Sequence, residues 1–501
     1  MSALRANIAA NIAGQAWAIT LALFCTPFYI KLLGVEAYGL IAFFLAVQML
    51  LQLLDLGMGA TVNREMARSA GIPSEELGRF VKTLESWYRI LGVGCATVLF
   101  LGLPWLTVWW LQPGALQQRE IMAAARVFAL LIGLQWATAF YANAMAGLQK
   151  QVAMNAIQIP MSALGSIGGL VFIWLGPRSV AWLLAWQVGT ALLSFLVMRA
   201  FFWHQVGVER VEAKRDFSIL RRHWRFSLGM SVISATGLII THLDKVVLSR
   251  LLPLESFAHY SIAATVSRGL YAVITPVFSA YLPRLSLLVA REQPEAIRRC
   301  YHTATQIMAV LVLPLAAVVA AFPVTILSLW LRDASLAAEV APLVTLLVLG
   351  TCLNALMNIP FALQLAHGNT RIGLSINLVL VALLVPSLIL VTLHFGARGA
   401  AAMWAIANAI YLLVGLPVTH RLLVKGGLAR WFSGDVVPPL MASLIVVGSA
   451  RALLPERALE GVYAVALLTL VWVIATLCAA ASSPVRALAR DAIAARSGGA
   501  P

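Results

Sequence analysis

The sequence predicts an all-α integral membrane protein of about fourteen transmembrane helices, built as two pseudo-symmetric six-helix lobes followed by two C-terminal helices. Three observations predict it. Of 501 residues, 61% are hydrophobic and 11% are charged, against about 25% charged in an ordinary soluble domain. The apolar residues come in blocks of roughly 18 to 28, the length that crosses a bilayer as a helix. The basic residues fall between those blocks and alternate in density from one gap to the next.

The blocks place helices at 8–31, 37–60, 88–111, 121–146, 152–176, 179–203, 226–250, 256–282, 303–331, 341–366, 372–395, 399–424, 436–455 and 460–482. The first block follows a single basic residue, Arg5, and carries Asn7, Asn11 and Gln15. That is a retained helix rather than a cleaved signal. Three longer loops are expected near 61–87, 204–225 and 283–302. Pro73 and Ser74 before Glu75 and Glu76 predict a surface helix in the first of them. Trp105, Trp109 and Trp110, near the end of one block, read as an interfacial belt. Prolines inside the spans, such as Pro27, Pro160 and Pro386, permit bends. The five cysteines have neither metal-ligand nor redox spacing, so no disulfide and no metal or other cofactor is expected.

A net charge of +16 suits nucleic acid only if the basic residues share one face or tail. Here they do not. With fourteen helices, 25 of the 36 Lys and Arg lie on the side of both termini and eight on the other, with Arg126, Lys245 and Arg268 left inside helices. The positive-inside rule then puts both termini in the cytoplasm.

The turn Lys31-Leu32-Leu33-Gly34-Val35-Glu36-Ala37-Tyr38-Gly39 recurs as Arg250-Leu251-Leu252-Pro253-Leu254-Glu255-Ser256-Phe257-Ala258, 219 residues or six helices later. A weaker match joins Ala146–Lys150 to Ala366–Thr370. The chain therefore divides into an N-lobe over 1–203, a cytoplasmic linker over 204–225, a C-lobe over 226–424, and helices thirteen and fourteen with a tail over 425–501. Parallel repeats of this kind are a transporter architecture.

The stretch from Phe28 to Arg68 includes the first copy of that turn, then Leu54-Asp55-Leu56-Gly57-Met58-Gly59 and Arg64. It resembles the polysaccharide transporters of the multidrug/oligosaccharidyl-lipid/polysaccharide exporter superfamily, among them Wzx-type O-antigen flippases. His242-Leu243-Asp244-Lys245-Val246-Val247-Leu248, and Pro283 closing helix eight, are similar too. The resemblance covers about residues 1–424. It implies two lobes rocking about a central cavity. It also implies a cargo of oligosaccharide on undecaprenyl pyrophosphate, an inner-membrane location, and neighbours such as a polysaccharide polymerase and a chain-length regulator.

A charge inside a span costs about 2.5–3.5 kcal/mol on the insertion scale, so each needs a reason. Lys245 and Arg268 are the expected pyrophosphate contacts, with Arg64 at the cytoplasmic mouth and Arg126 as further cations. Asp244 and Asp55 are candidate coupling or counter-charge sites. Asp244 could instead pair with Arg268, and any of the cations could simply snorkel. Asn11, Gln15, Asn143, Asn354 and Asn358 could meet sugar hydroxyls or could glue helices together.

A drug or cation exporter of the same superfamily is the rival expectation, and it calls for an acidic, aromatic-lined cavity. An enzyme is not expected. The external loops are too short to build a fixed catalytic site, and no phosphate-cradling glycine loop is present.

Overall fold

Lipid offers the backbone no hydrogen-bond partners, so each apolar block must satisfy its own N–H and C=O groups. The computed structural model describes all residues except Met1, Leu56, 70–73, 207–214, 222–226, 228–243, Lys425, 455–460 and 484–501. Among the described residues there is no strand, and twelve helices are long and apolar enough to cross a membrane. Most of the expected seventh helix lies outside the described residues, as do most of the 204–225 linker and the basic tail. The count is compatible with fourteen.

The first compact unit spans Met1–Ser261. It contains α1 (Ser2–Leu33), α2 (Val35–Leu51), α3 (Met58–Ser69), α4 (Glu75–Trp110), α5 (Gln118–Gly147), α6 (Gln151–Leu175) and α7 (Val180–Val206), then helical residues 244–251 and the start of α8 (Leu254–Arg268). Two expectations need correction here. The second span is not one helix over 37–60: a 3₁₀ turn at Gln52–Asp55 and Gly57 at φ 70° separate α2 from α3. The start signal at Ser74 is real, since its hydroxyl accepts from Leu77 N–H at 3.1 Å, but the helix it opens is no separate surface helix. It runs unbroken through the third span to Trp110. The short amphipathic helix of this region is α3, which buries Met58, Val62 and Met66.

The second unit spans Ile262–Pro501. It holds the rest of α8, then α9 (Tyr271–Ala290), α10 (Pro294–Ala321), α11 (Pro323–Leu331), α12 (Ala334–Ala366), α13 (Thr370–Leu423), α14 (Val437–Leu453) and α15 (Gly461–Ser482). The expected eighth helix is two, separated by a turn at Gly269–Leu270. Pro283 does not close it, because α9 continues to Ala290. Gly396 has non-helical dihedrals inside α13 and divides that run where the sequence places the junction of helices eleven and twelve. Asp333 caps α12. Its hydrogen bonds with Ser335 and with the Leu336 N–H hold its carboxyl below the usual range.

Two helix stops 219 residues apart share one backbone hydrogen-bond pattern. After α5, the N–H groups of Leu148, Gln149 and Lys150 donate to the carbonyls of Ala144, Ala146 and Met145. After α12, His367, Gly368 and Asn369 donate to Leu363, Leu365 and Gln364. Each of the six positions is shifted by 219 residues, and Gln149 and Gly368 both have positive φ. Such a left-handed helix stop is a common way to satisfy the last carbonyls.

The two copies of the repeated turn also meet within the first unit. A Cβ on Gly39 would lie 2.6 Å from the Leu254 carbonyl oxygen and 3.2 Å from the Ala258 Cβ, and Gly39 and Ala258 are the last positions of the two copies. Around this contact, Leu254 N–H donates to Gln112 O at 3.0 Å, and the Gln112 side chain donates to Arg250 O at 3.1 Å. Trp110 Nε1 donates to Ser249 Oγ at 3.1 Å, and the Arg250 guanidinium lies 5.1 Å from the Trp109 ring. Glu36 accepts from the consecutive N–H groups of Gly114, Ala115 and Leu116.

Candidate substrate site

Four helices of the first unit each carry polar residues at helical spacing. On α6 these are Asn155, Gln158, Ser162 and Ser166. On α1 they are Asn11 and Gln15, on α5 Gln135 and Thr138, and on α7 Gln187, Thr190 and Ser194. Residues three or four apart share one helix face. These faces line one cavity of about 770 Å³, whose described lining residues include no charged side chain. Gly14 allows the close approach of α1 and α6: a Cβ there would lie 2.1 Å from Asn155 Oδ1. Asn155 Nδ2 donates to Asn11 Oδ1 at 3.1 Å, and Trp17 Nε1 donates to Ser162 Oγ at 3.0 Å. Such a surface can exchange hydrogen bonds with hydroxyl and amide groups of a ligand. Its size lies within the ~300–1,000 Å³ typical of small-molecule sites.

A second cavity, of about 410 Å³, shares Gln135 and Ala139 with the first and holds Asp55, Asn143 and Trp136. The Asp55 carboxylate accepts from the Tyr88 hydroxyl and, at 2.8 Å, from Gly59 N–H at the start of α3. Asn143 donates to Ala139 O at 3.0 Å.

The expected site residues are thus partly gathered. Asn11 and Gln15 line the large cavity; Asp55 and Asn143 line the small one. Arg64 binds its neighbour Glu65 at 2.7 Å on α3, and Arg126 is exposed on α5. Asp244 Oδ2 accepts from Tyr260 at 2.8 Å, while its buried Oδ1 has no hydrogen-bond partner among the described residues. Lys245 is half-buried beside it. In the second unit Arg268 is exposed at the end of α8. Asn354 accepts from Tyr271 at 3.1 Å and donates to Asn408 at 2.8 Å, and Asn358 donates to Asn354 O. Asn354 therefore ties α9, α12 and α13 together, as a polar side chain between membrane helices often does.

Sequence reasoning missed two buried clusters. Glu85 accepts from Tyr141 at 2.6 Å and from Arg199 at 3.2 Å, joining α4, α5 and α7. In the second unit Asp435 lies against His302 Nδ1 and accepts from Gln306 at 2.7 Å. It sits in a π-helical stretch, Trp431–Val436, just before α14. Gln135, Gln158 and Gln187 were missed as well, although the polar spacing on α6 was a signal.

The sequence profile described as "Polysaccharide biosynthesis protein" matches residues 4–289, more than half of the chain. The chain belongs to this family. A second profile, MatE, matches residues 230–391. A relative from Shigella flexneri, named "Putative O-antigen transporter", is 22% identical over 400 residues, which is 79% of this chain and 93% of the relative. Among solved structures, the fold is similar to lipid II flippase MurJ in an inward closed conformation. The TM-score is 0.73 at 13% identity, over 96% of this chain and 99% of that one. It is also similar to an inward-facing multidrug resistance MATE family transporter of the MOP superfamily, with a TM-score of 0.66 at 17% identity over 82% and 96%. The family member described here is accordingly a multi-pass membrane protein with the fold of these transporters.

Proposed function

We propose that this chain flips an undecaprenyl-pyrophosphate-linked oligosaccharide, such as an O-antigen or exopolysaccharide repeat unit, from the cytoplasmic to the periplasmic leaflet of a bacterial inner membrane by alternating access. The observation that carries this reading is the cavity of about 770 Å³ lined by amides and hydroxyls. A membrane helix has no reason to spread such groups along one face unless they meet water, a neighbour or a polar cargo. The name of the Shigella flexneri relative supports the same cargo class.

In this reading Lys245 and Arg268 attract the pyrophosphate, with Arg64 and Arg126 as outer cations, because phosphate binds a cation far better in a low-dielectric site. Asp244 and Asp55 serve as coupling or counter-charge sites. Asn143, Asn354 and Asn358 support the sugar path. Both termini are cytoplasmic, and a polymerase and chain-length regulator take the product.

Export of an organic cation is the second reading. Asp55 beside Trp136 in the smaller cavity favours it, but Tyr88 and Gly59 already occupy that carboxylate. The test is expression in a flippase-deficient bacterium that makes a matching lipid-linked repeat unit. The expected result is restored surface glycan, lost again in a Lys245→Ala/Arg268→Ala variant present at normal membrane level. Drug resistance without surface glycan would favour the second reading instead.

A further inference from the structure

The large cavity of the first unit holds four glutamine side chains, one from each of its walls: Gln15 on α1, Gln135 on α5, Gln158 on α6 and Gln187 on α7. Each amide offers both donors and an acceptor, the complement of a sugar hydroxyl, which also does both. What the cavity lacks is equally specific. None of its described lining residues is Asp, Glu, Lys, Arg or His. The charge in the adjoining cavity is itself an acid: Asp55 shares the Gln135 wall, and its described partners, Tyr88 and the Gly59 N–H, are neutral. A carboxylate seated in this cavity would thus find no counter-ion among its described lining residues, with a second carboxylate in the adjoining cavity. Burying a charge without a partner is strongly unfavourable, whereas a hydroxyl can be satisfied by amides.

We infer that this cavity is a specificity site for uncharged sugars, and that the chain discriminates against repeat units bearing a carboxylate at the position it receives. The inference rests on the flippase reading above and deepens it. It also separates the cargo into two parts. The glycan occupies the neutral cavity of the first unit, and the pyrophosphate is held by cations that do not line it.

The experiment uses the full-length protein in proteoliposomes with two isosteric probes: an undecaprenyl-pyrophosphate-linked oligosaccharide carrying glucose, and the same molecule carrying glucuronate in its place. The wild type is expected to flip the glucosyl compound at least about tenfold faster, a modest margin for one uncompensated buried charge. Gln187→Lys and, from a different helix, Gln158→Lys each supply a counter-ion, and the ratio should narrow in both. Equal wild-type rates for the two compounds would overturn the specificity site while leaving the flippase reading intact. An unchanged ratio in both lysine variants, with flipping of the glucosyl compound retained, would move the site away from this cavity. Lysine variants that no longer flip either compound, although correctly inserted, would still place the cargo there if neither binds the glucosyl compound and wild type does; normal binding by both would count against it. If the wild type flips neither compound but exports an organic cation, the flippase reading itself fails.

Discussion

Asp435 is completely buried, with one carboxylate oxygen against His302 and the other accepting from Gln306. Removing such an acceptor strands two buried polar partners, at about 1–3 kcal/mol for each unsatisfied group. The Glu75–Arg79 pair is the opposite case. Both side chains are well exposed, at 63% and 44%, and their contact is 3.3 Å. An exposed pair contributes only about 0–1 kcal/mol. Asp435→Ala is therefore expected to lower the thermal midpoint of the detergent-solubilised protein markedly, and Glu75→Ala hardly at all. Equal shifts in a fluorescence-monitored melt would contradict this ranking. Glu85 lies between the two: its carboxylate is buried, but its partner Arg199 is 42% exposed and can recover water. Neither the Asp435 nor the Glu85 network was legible in the sequence. Each joins residues far apart in the chain, and hydropathy counts a buried acid as a loop residue, as happened at Glu85.

At the scale of elements, periodicity gave most of the helices because lipid enforces a simple rule: an apolar block of spanning length must be a helix. What it hid are the breaks. Gln52–Asp55 and Gly269–Leu270 interrupt helices without a long polar run, whereas the break at Gly396 falls where the sequence already places a junction. The candidate cavity was half-legible. Asn11 and Gln15 stood out on α1, but the polar face of α6 was diluted by its apolar neighbours. The meeting of the two repeat copies at Gly39 and Ala258 was not foreseeable from either turn alone, and it yields a further test. If alternating access opens this end, Ala258, fully buried in this state, must become exposed during the cycle. A cysteine placed there, in a chain whose five native cysteines are serine, should react slowly with a membrane-impermeant maleimide. Gly39→Val should accelerate labelling several-fold, because its side chain would collide with the Leu254 backbone and favour the separated state. Identical labelling in both backgrounds would mean that this contact does not hold the end closed.

At the scale of the whole molecule, orientation depends on parity, and parity depends on α13. A straight helix of its 54 residues would be about 81 Å long, far more than a hydrocarbon core of about 30 Å. Divided at Gly396, it becomes two arms, 370–395 and 397–423, each about 40 Å long. Either arm is enough to cross with some tilt. Two crossings keep Arg371, Arg421 and Arg430 on one face, together with the other basic turns, and put Arg398, between the two arms, on the opposite face. One crossing would put Arg371 and Arg421 on opposite faces and weaken the charge asymmetry that sets topology. Reporter fusions distinguish these cases. A phosphatase that is active only in the periplasm should be active when joined after Arg398, and inactive after Asn369, after Gly427 or at the C-terminus. Activity after Gly427 with none after Asn369 would mean that α13 crosses once, and the placement of both termini in the cytoplasm would fall with it.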